Sequence, residues 1–226
     1  MVRISKRMKE ANKAVAQKET YPLDEAIEAV GSFPKVKFDE TVELHFHLNI
    51  NPKNTDQMVR GTVVLPHGTG KTIRIAAFCK GELEQKAKDA GATYVGAEEL
   101  IDKVAKGFLD FDVVVASPDM MRDLSKLGKV LGPRGLMPTP KAGTVTTDVA
   151  KAIGDLKAGK VEFKSDKQAG IHLGVGKRSF TKEKLSENIN HLIDAIKASK
   201  PNSVKGELLK GVSLTTTMGP GIRVEI

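Results

Sequence analysis

Gly68-Thr69-Gly70-Lys71-Thr72 has the composition of a phosphate-binding loop, in which glycine N–H groups cradle phosphates and a lysine neutralises them. The full pattern needs a glycine at position 65, where this chain has Leu65, and it must lead from a strand into a helix. Thr72 leads instead into the apolar run Ile73-Arg74-Ile75, so the segment reads as a polar turn and argues against an NTPase. Gly174-Val175-Gly176-Lys177 lacks the third glycine of a dinucleotide fingerprint and reads as a turn leaving a strand. His45 and His47 share one strand face and could ligate a metal, but no Cys or Asp cluster joins them at ligand spacing. A polar sheet surface is the better reading. Cys79 reads as a buried thiol. No Ser/His/Asp order or paired-carboxylate pattern stands out, and no catalytic residue, metal ligand or cofactor is assigned.

Two segments ask for more. In the tail Ser213-Leu214-Thr215-Thr216-Thr217-Met218-Gly219-Pro220-Gly221, Val212, Leu214 and Thr216 alternate inward. Ser213, Thr215 and Thr217 then form a hydroxyl row on the other face, at a spacing of about 6.5–7 Å. Such a row suits ribose 2′-hydroxyl and phosphate contacts. Met218-Gly219-Pro220 follows as a turn whose glycine would let RNA approach the backbone. The plainer reading is a hairpin on a Thr-rich strand. The second segment, Leu127–Gly143 (LGKVLGPRGLMPTPKAG), lies in an acid-free stretch between Asp123 and Asp148 that also holds Lys126. Its glycines, Gly132 among them, and its prolines predict a rigid extended loop carrying Lys129, Arg134 and Lys141. Leu136 and Met137 are exposed or docked there, and interdomain packing is the plainer role.

The elements that must position these residues change period along the chain. Ile4, Met8, Ala11 and Val15 recur at helical spacing, and a second helix follows Tyr21-Pro22 with Leu23, Ala26, Ile27 and Val30 inward. TVELHFHL alternates as a half-buried strand, with Val42, Leu44, Phe46 and Leu48 facing one way. A further strand is predicted over roughly 58–65, ending at Pro66-His67-Gly68. From about residue 70, short apolar strands (73–78, 93–95, 112–116) are separated by helices over 82–89 and 98–106. That texture predicts a parallel sheet covered on both faces. A helix near 148–158 closes it. Alternation returns at Val161 and Phe163, then at Ile171, Leu173 and Val175. A helix over 182–198 buries Leu185, Ile189, Leu192, Ile193 and Ile196, and GVSLTTTMGPGIRVEI ends the chain as a hairpin.

Half-buried antiparallel texture therefore brackets doubly wound texture. The expected architecture is an α+β domain made from both chain ends (1–67 with 160–226) and an inserted α/β domain (68–159). Two connections, near Pro66–Thr69 with Gly68 and at Ala158-Gly159, would form a hinge.

Bulk properties agree with a nucleic-acid partner. The 226 residues are 40% hydrophobic and 28% charged, a soluble globular balance, with a single cysteine that excludes an internal disulfide framework. No apolar run approaches the ~18 residues that span a bilayer, and the basic N-terminus lacks the apolar core of a secretory signal. The net charge of +8 favours a polyanion. The chain ends together carry 22 basic against 16 acidic groups and the insert 14 against 12, which puts the main polyanion site on the composite domain. Aromatics are only 4% and Trp is absent, so stacking platforms for single strands are scarce. An RNA partner should be folded and read by shape and sugar-phosphate contacts.

KFDETVE (Lys37–Glu43), GTVVLPHGTGK, GPRGLMPTPKAGTV and TTTMGP (Thr215–Pro220) resemble, in order and over essentially the whole chain, the bacterial form of the family of ribosomal protein one of the large subunit. The resemblance implies a split first domain and a hinged, Rossmann-like inserted domain. It also implies a protein, monomeric when free, that sits on cytoplasmic ribosomes. There it would bind a folded junction of large-subunit rRNA, form the mobile lateral stalk and assist release of deacylated exit-site tRNA. It would also repress its own operon by binding its mRNA. Carried onto this chain, the RNA surface would use Lys37, Phe38, Thr41 and Glu43, with Lys167 and His172 nearby. Ser213, Thr215, Thr217, Met218, Gly219 and Pro220 would complete it. Phe38 is expected to pack beneath the surface, and Glu43 to accept from a 2′-hydroxyl or guanine amino group or to position Lys37. The rival reading is a cytosolic doubly wound nucleotide-binding enzyme that happens to be basic.

Overall fold

The computed structural model describes residues 4–15 and 18–225; Arg3 of the basic N-terminal stretch and Ile226 of the predicted last hairpin lie outside them. In chain order the elements begin with α1 (Lys6–Val15), α2 (Leu23–Ser32), β1 (Thr41–Leu48), β2 (Arg60–Val64), β3 (Ile75–Phe78) and α3 (Glu82–Asp89). Then come β4 (Tyr94–Gly96), α4 (Glu98–Ala105), β5 (Val113–Ala116), α5 (Met121–Leu124), α6 (Gly128–Leu131) and α7 (Val149–Lys157). The last are β6 (Lys160–Lys164), β7 (Gly170–Lys177), α8 (Lys182–Ala198), β8 (Leu209–Thr216) and β9 (Ile222–Val224). The chain separates into two compact units, residues 1–70 with 161–226, and residues 71–160.

The first unit is built on an antiparallel sheet in the order β7-β1-β8-β9. Its inner face carries Val42, Leu44, Phe46, Leu48, Ile171, Val175, Val212, Leu214 and Ile222, all buried with Ala26, Ile27 and Val30 of α2 and the α8 stripe. Each such Leu, Ile or Phe contributes on the order of 1.5–3 kcal/mol by leaving water, which fixes the strand register. The outer face is polar and, among the described residues, carries no helix.

Several local expectations shift. Ser5 caps α1, its hydroxyl accepting from Met8 N at 3.2 Å, so Ile4 falls outside the helix and is 50% exposed. The strand predicted over 58–65 pairs only over Arg60–Val64, beside β6. On α8, Ile193 is only half-buried, whereas Asn188 is fully buried. Its carboxamide accepts from His67 N at 3.1 Å and donates to the carbonyls of Gly68 and Val175, at 3.0 and 2.8 Å. Pro66 and Gly68 thus belong to a turn pinned within the first unit, and the chain leaves that unit only after Gly70. A buried amide with its hydrogen bonds satisfied anchors that stretch of backbone.

The second unit holds a parallel sheet in the order β4-β3-β5, with Ile75 opposite Val113 and Phe78 opposite Ala116. One face buries Ala76, Phe78, Val114 and Ala116 with Leu100, Val104, Leu124 and Leu131. The other buries Ile75, Ala77, Cys79 and Val115 with Ala87, Val149, Ile153 and Leu156. Two covered faces explain the unbroken apolar runs of β3 and β5. Helix α3 carries Glu82 and Glu84 in its first turn and Lys86 and Lys88 in its last, matching the helix dipole, and Gly91 follows with φ 81°. Gly159 (φ 103°), buried, terminates α7, its N–H donating to Leu156 O.

The loop over 127–143 is less extended than its prolines suggested. It begins at the end of a 3-10 turn (Ser125–Leu127) and contains α6 and a second 3-10 turn at Pro140–Ala142. Leu136 and Met137 dock against the core, while Gly132 and Arg134 are exposed. Thr144 Oγ1 donates to Thr139 O and accepts from Thr139 N, closing the loop's far end. Gly68-Thr69-Gly70-Lys71-Thr72 leads into β3, as its order required, and Lys71 Nζ pairs with Asp112 at 3.0 Å.

Candidate nucleic-acid interface

Cross-strand pairing on the outer face of the first unit brings together residues that lie far apart in the chain. Thr41 faces Lys177, Glu43 lies between Gly174 and Thr215, and His45 lies between His172 and Ser213. Ser213 is in turn paired with Arg223, and His47 lies between Gly170 and Gly211. A bulge between Val42 and Glu43 lets β7 keep both Val175 and Gly176 inward and still turn Lys177 out, where its Nζ donates to Thr41 Oγ1 at 3.0 Å. Gly174-Val175-Gly176-Lys177 is therefore the end of a strand, not the turn its glycines suggested. Gly211, where among the described residues only Arg223 Nε would lie within 4.0 Å of a Cβ, keeps the outer face low.

The tail hydroxyls have duties inside the protein. Thr217 Oγ1 accepts from Thr41 N at 3.0 Å, and Thr217 N donates to Thr41 O at 3.0 Å, so this residue fastens the tail to the start of β1. Thr215 Oγ1 donates toward the carbonyls of Thr216, Gly219 and Pro220, at 3.1–3.3 Å, and holds the turn closed. Of the three, only the Ser213 hydroxyl makes no hydrogen bond among the described residues. Gly219 is required by packing: a Cβ would meet Thr216 Oγ1 at 2.4 Å and the Phe33 ring at 2.9 Å. The protein's own side chains make one close approach at this glycine.

Beneath the turn lies an ion pair that sequence reasoning missed. Glu40, 1% exposed, receives Arg178 Nη1 at 2.7 Å, and its other oxygen accepts from Thr216 Oγ1 and Met218 N, both at 3.2 Å. Arg178 also donates to the carbonyls of Gly31, Phe33 and Pro34. One carboxylate thus ties β1, the tail turn and the end of α2 together. Isolated charges separated by 138 positions in sequence carry no signal of this kind. Above the turn, Arg7 Nη2 donates to Met218 O at 2.7 Å.

Phe38 is 54% exposed and Met218 46% exposed, so Phe38 stands on the surface instead of packing beneath it. Lys37 is exposed on the same approach to β1. Lys167 lies, exposed, in the loop between β6 and β7. Glu43 meets His45 (Oε2 to Nε2, 3.8 Å).

The two histidines expected to decorate a polar surface behave differently. His47 is exposed. His45 contacts His172 across the strands, Nδ1 to Nδ1 at 2.8 Å, and the outer nitrogen of His172 lies 3.5 Å from Asp166 Oδ2. Burial, then the neighbouring His172, pushes the His45 imidazole below its ordinary value, against the opposing pull of Glu43. Backbone N–H donors, that of Gly170 first, hold the Asp166 carboxyl below its ordinary range. Lys210, Arg223 and Ser213 line the same open cleft of about 280 Å³. Among the described residues, no group of three His, Cys, Asp or Glu could hold a metal ion.

The arrangement is a low, polar, net basic sheet face bounded by two exposed apolar side chains. Such a surface fits a large hydrogen-bonding polyanion. Residues 30–220 match the Ribosomal protein L1p/L10e family. Over the full chain the protein is 54% identical to a large ribosomal subunit protein uL1 from Protochlamydia amoebophila (strain UWE25), covering 96% of that relative. It is 53% identical to one from Solidesulfovibrio magneticus, and 51% identical to one from Kosmotoga olearia, covering 96% and 97% of them. These relatives bear the names of structural ribosomal proteins, not of enzymes. The chain belongs to the ribosomal protein L1p/L10e family.

Proposed function

We propose that this protein is a structural constituent of the large ribosomal subunit that binds a folded junction of rRNA on the outer sheet face of its composite unit. The observation that supports the reading is the union, on one helix-free polar face, of the start of β1, His172 and the tail from Ser213 to Met218. Family membership and the basic excess of the two chain ends point the same way. In this reading Lys37, Lys167 and Lys177 meet phosphates, Thr41, Glu43, His172 and Ser213 meet ribose and base edges, and Phe38 and Met218 pack against exposed sugars or bases. Thr215, Thr217, Gly219 and Pro220 hold the turn in shape.

The two units act as separate domains, a split RNA-binding α+β domain and an inserted doubly wound, Rossmann-like one. The connections at residues 70–72 and 159–161 then serve as the hinge of a mobile lateral stalk. The insert presents the basic loop of Lys126, Lys129, Arg134 and Lys141 to deacylated tRNA near the exit site. The same RNA face binds the protein's own operon mRNA and represses its translation, on cytoplasmic ribosomes and from a monomeric free state. Against the nucleotide-binding enzyme stands the glycine-lysine segment, which enters a strand and has its lysine paired with Asp112.

The test is a salt titration of the whole protein against a folded large-subunit rRNA fragment and an unrelated duplex of equal length. Tight binding to the fragment alone, weakening linearly in log–log form with salt, is expected. Equal binding to both RNAs would overturn the reading. Competition between the fragment and the operon leader for one site tests the repressor role.

A further inference from the structure

The histidine pair at the centre of the outer face counts its own protons. His45 Nδ1 and His172 Nδ1 are 2.8 Å apart. The remaining ring nitrogens each face a carboxylate, His45 Nε2 at 3.8 Å from Glu43 and His172 Nε2 at 3.5 Å from Asp166. A carboxylate only accepts, and Asp166 is itself fixed by the N–H groups of Gln168 and Gly170, at 2.8 and 2.6 Å. Both carboxylates favour a proton on the Nε2 that faces them. A neutral pair either keeps those protons and leaves two bare lone pairs at 2.8 Å, or moves one to Nδ1 and turns a bare Nε2 toward a carboxylate. One further proton, shared between the Nδ1 atoms, turns repulsion into a charge-assisted hydrogen bond. A fourth would set two N–H groups head to head and break the contact. Three protons and one positive charge make the short contact a hydrogen bond and keep an N–H toward each carboxylate.

That charge decides the character of the cleft. The charged groups around the pair are Glu43 on β1, Asp166 before β7, Lys210 on β8 and Arg223 on β9, with His47 also on the cleft wall. The two acids and two bases cancel, so the shared proton alone makes the site cationic. The lowering of His45 by burial and by His172 agrees with refusal of a second charge. Ser213, whose hydroxyl is uncommitted, stands opposite His45.

We propose that His45 and His172 form a monocationic, proton-sharing pair that receives a phosphodiester of the bound RNA, so that RNA binding takes up a proton. This rests on the RNA-binding reading above.

The experiment measures affinity of the whole protein for a folded rRNA fragment at constant ionic strength between about pH 6 and 8. It is run on the native chain and on His172→Gln, with circular dichroism confirming the fold and ring ¹⁵N shifts recorded for the free and bound protein. Native affinity should fall as pH rises past loss of the shared proton, by up to about tenfold per pH unit where a whole proton is taken up. His172→Gln should bind more weakly at the acid end and show a flat profile, and adding RNA at the alkaline end should return the native ring shifts toward the protonated form. Strong binding with a flat native profile, or a native slope retained in folded His172→Gln, overturns the proton linkage and leaves RNA binding standing. Absence of RNA binding at every pH overturns both.

Discussion

The two sheets of this protein put their side chains to opposite uses. The parallel sheet β4-β3-β5 is covered on both faces, and its strands are apolar on both. The antiparallel sheet β7-β1-β8-β9 buries one face and leaves the other to solvent, and every residue singled out on it for chemistry lies on that open face or at its rim. A sheet covered on both faces leaves only its strand ends and loops for recognition, whereas a half-covered one can use a whole face. The difference also shows in the polar groups each sheet spends. The open sheet keeps a buried ion pair beneath its tail turn, while the covered one confines its main pair to a junction where Asp112 meets Lys71 and Arg74.

If that contrast is right, Glu40→Ala should have the largest effect. It strands Arg178 and frees the tail turn, costing about 3–5 kcal/mol of stability in denaturant titration. RNA affinity should collapse even where the variant is kept folded by low temperature. Retained affinity would separate the turn from the recognition face. Phe78→Ala should cost a comparable ~3–5 kcal/mol, since it empties a fully buried ring site in the covered sheet. Its destabilisation should be confined to the second unit and leave affinity for the rRNA fragment unchanged, which would mark that sheet as support only.

Thr217→Val removes the acceptor of Thr41 N at near-constant shape, and about 0.5–1.5 kcal/mol should be lost from the first unit. RNA affinity should drop because the turn loosens. A stability equal to the native protein would show that this hydroxyl fastens nothing. The smallest effect concerns acid. Partial burial pushes the Asp112 carboxyl up, but Arg74 N–H, the Lys71 ammonium and the Arg74 guanidinium outweigh it and hold it at about 2. A carboxyl depressed on folding stabilises above its unfolded value and loses that contribution as pH falls, here from about 4 down to about 2. Asp112→Asn should flatten that acid limb of the stability profile, and an unchanged limb would assign it elsewhere.

Much of this was legible in residue order. Val42, Leu44, Phe46 and Leu48 alternate because one strand face meets a core, and the register β1 adopts is the one that alternation demands. Helices α3 and α8 begin and end where their charge and apolar periodicity placed them. What residue order could not show lies where a residue's partner is remote. Gly219 packs against the Phe33 ring, and nothing nearby in sequence points to that contact. Pro66 and Gly68 looked like a free link because Asn188, 121 residues beyond His67, was invisible as their anchor.

Sequence by itself determined the period of each element, the split of basic charge toward the chain ends and the family. These are properties of neighbours along the chain, set by backbone geometry and side-chain type. Tertiary structure alone decided which polar groups meet. Glu40 with Arg178, and His45 with His172 between two carboxylates, are brought together by strand pairing across more than a hundred residues. At such separations only the register of the folded sheet selects one partner from many.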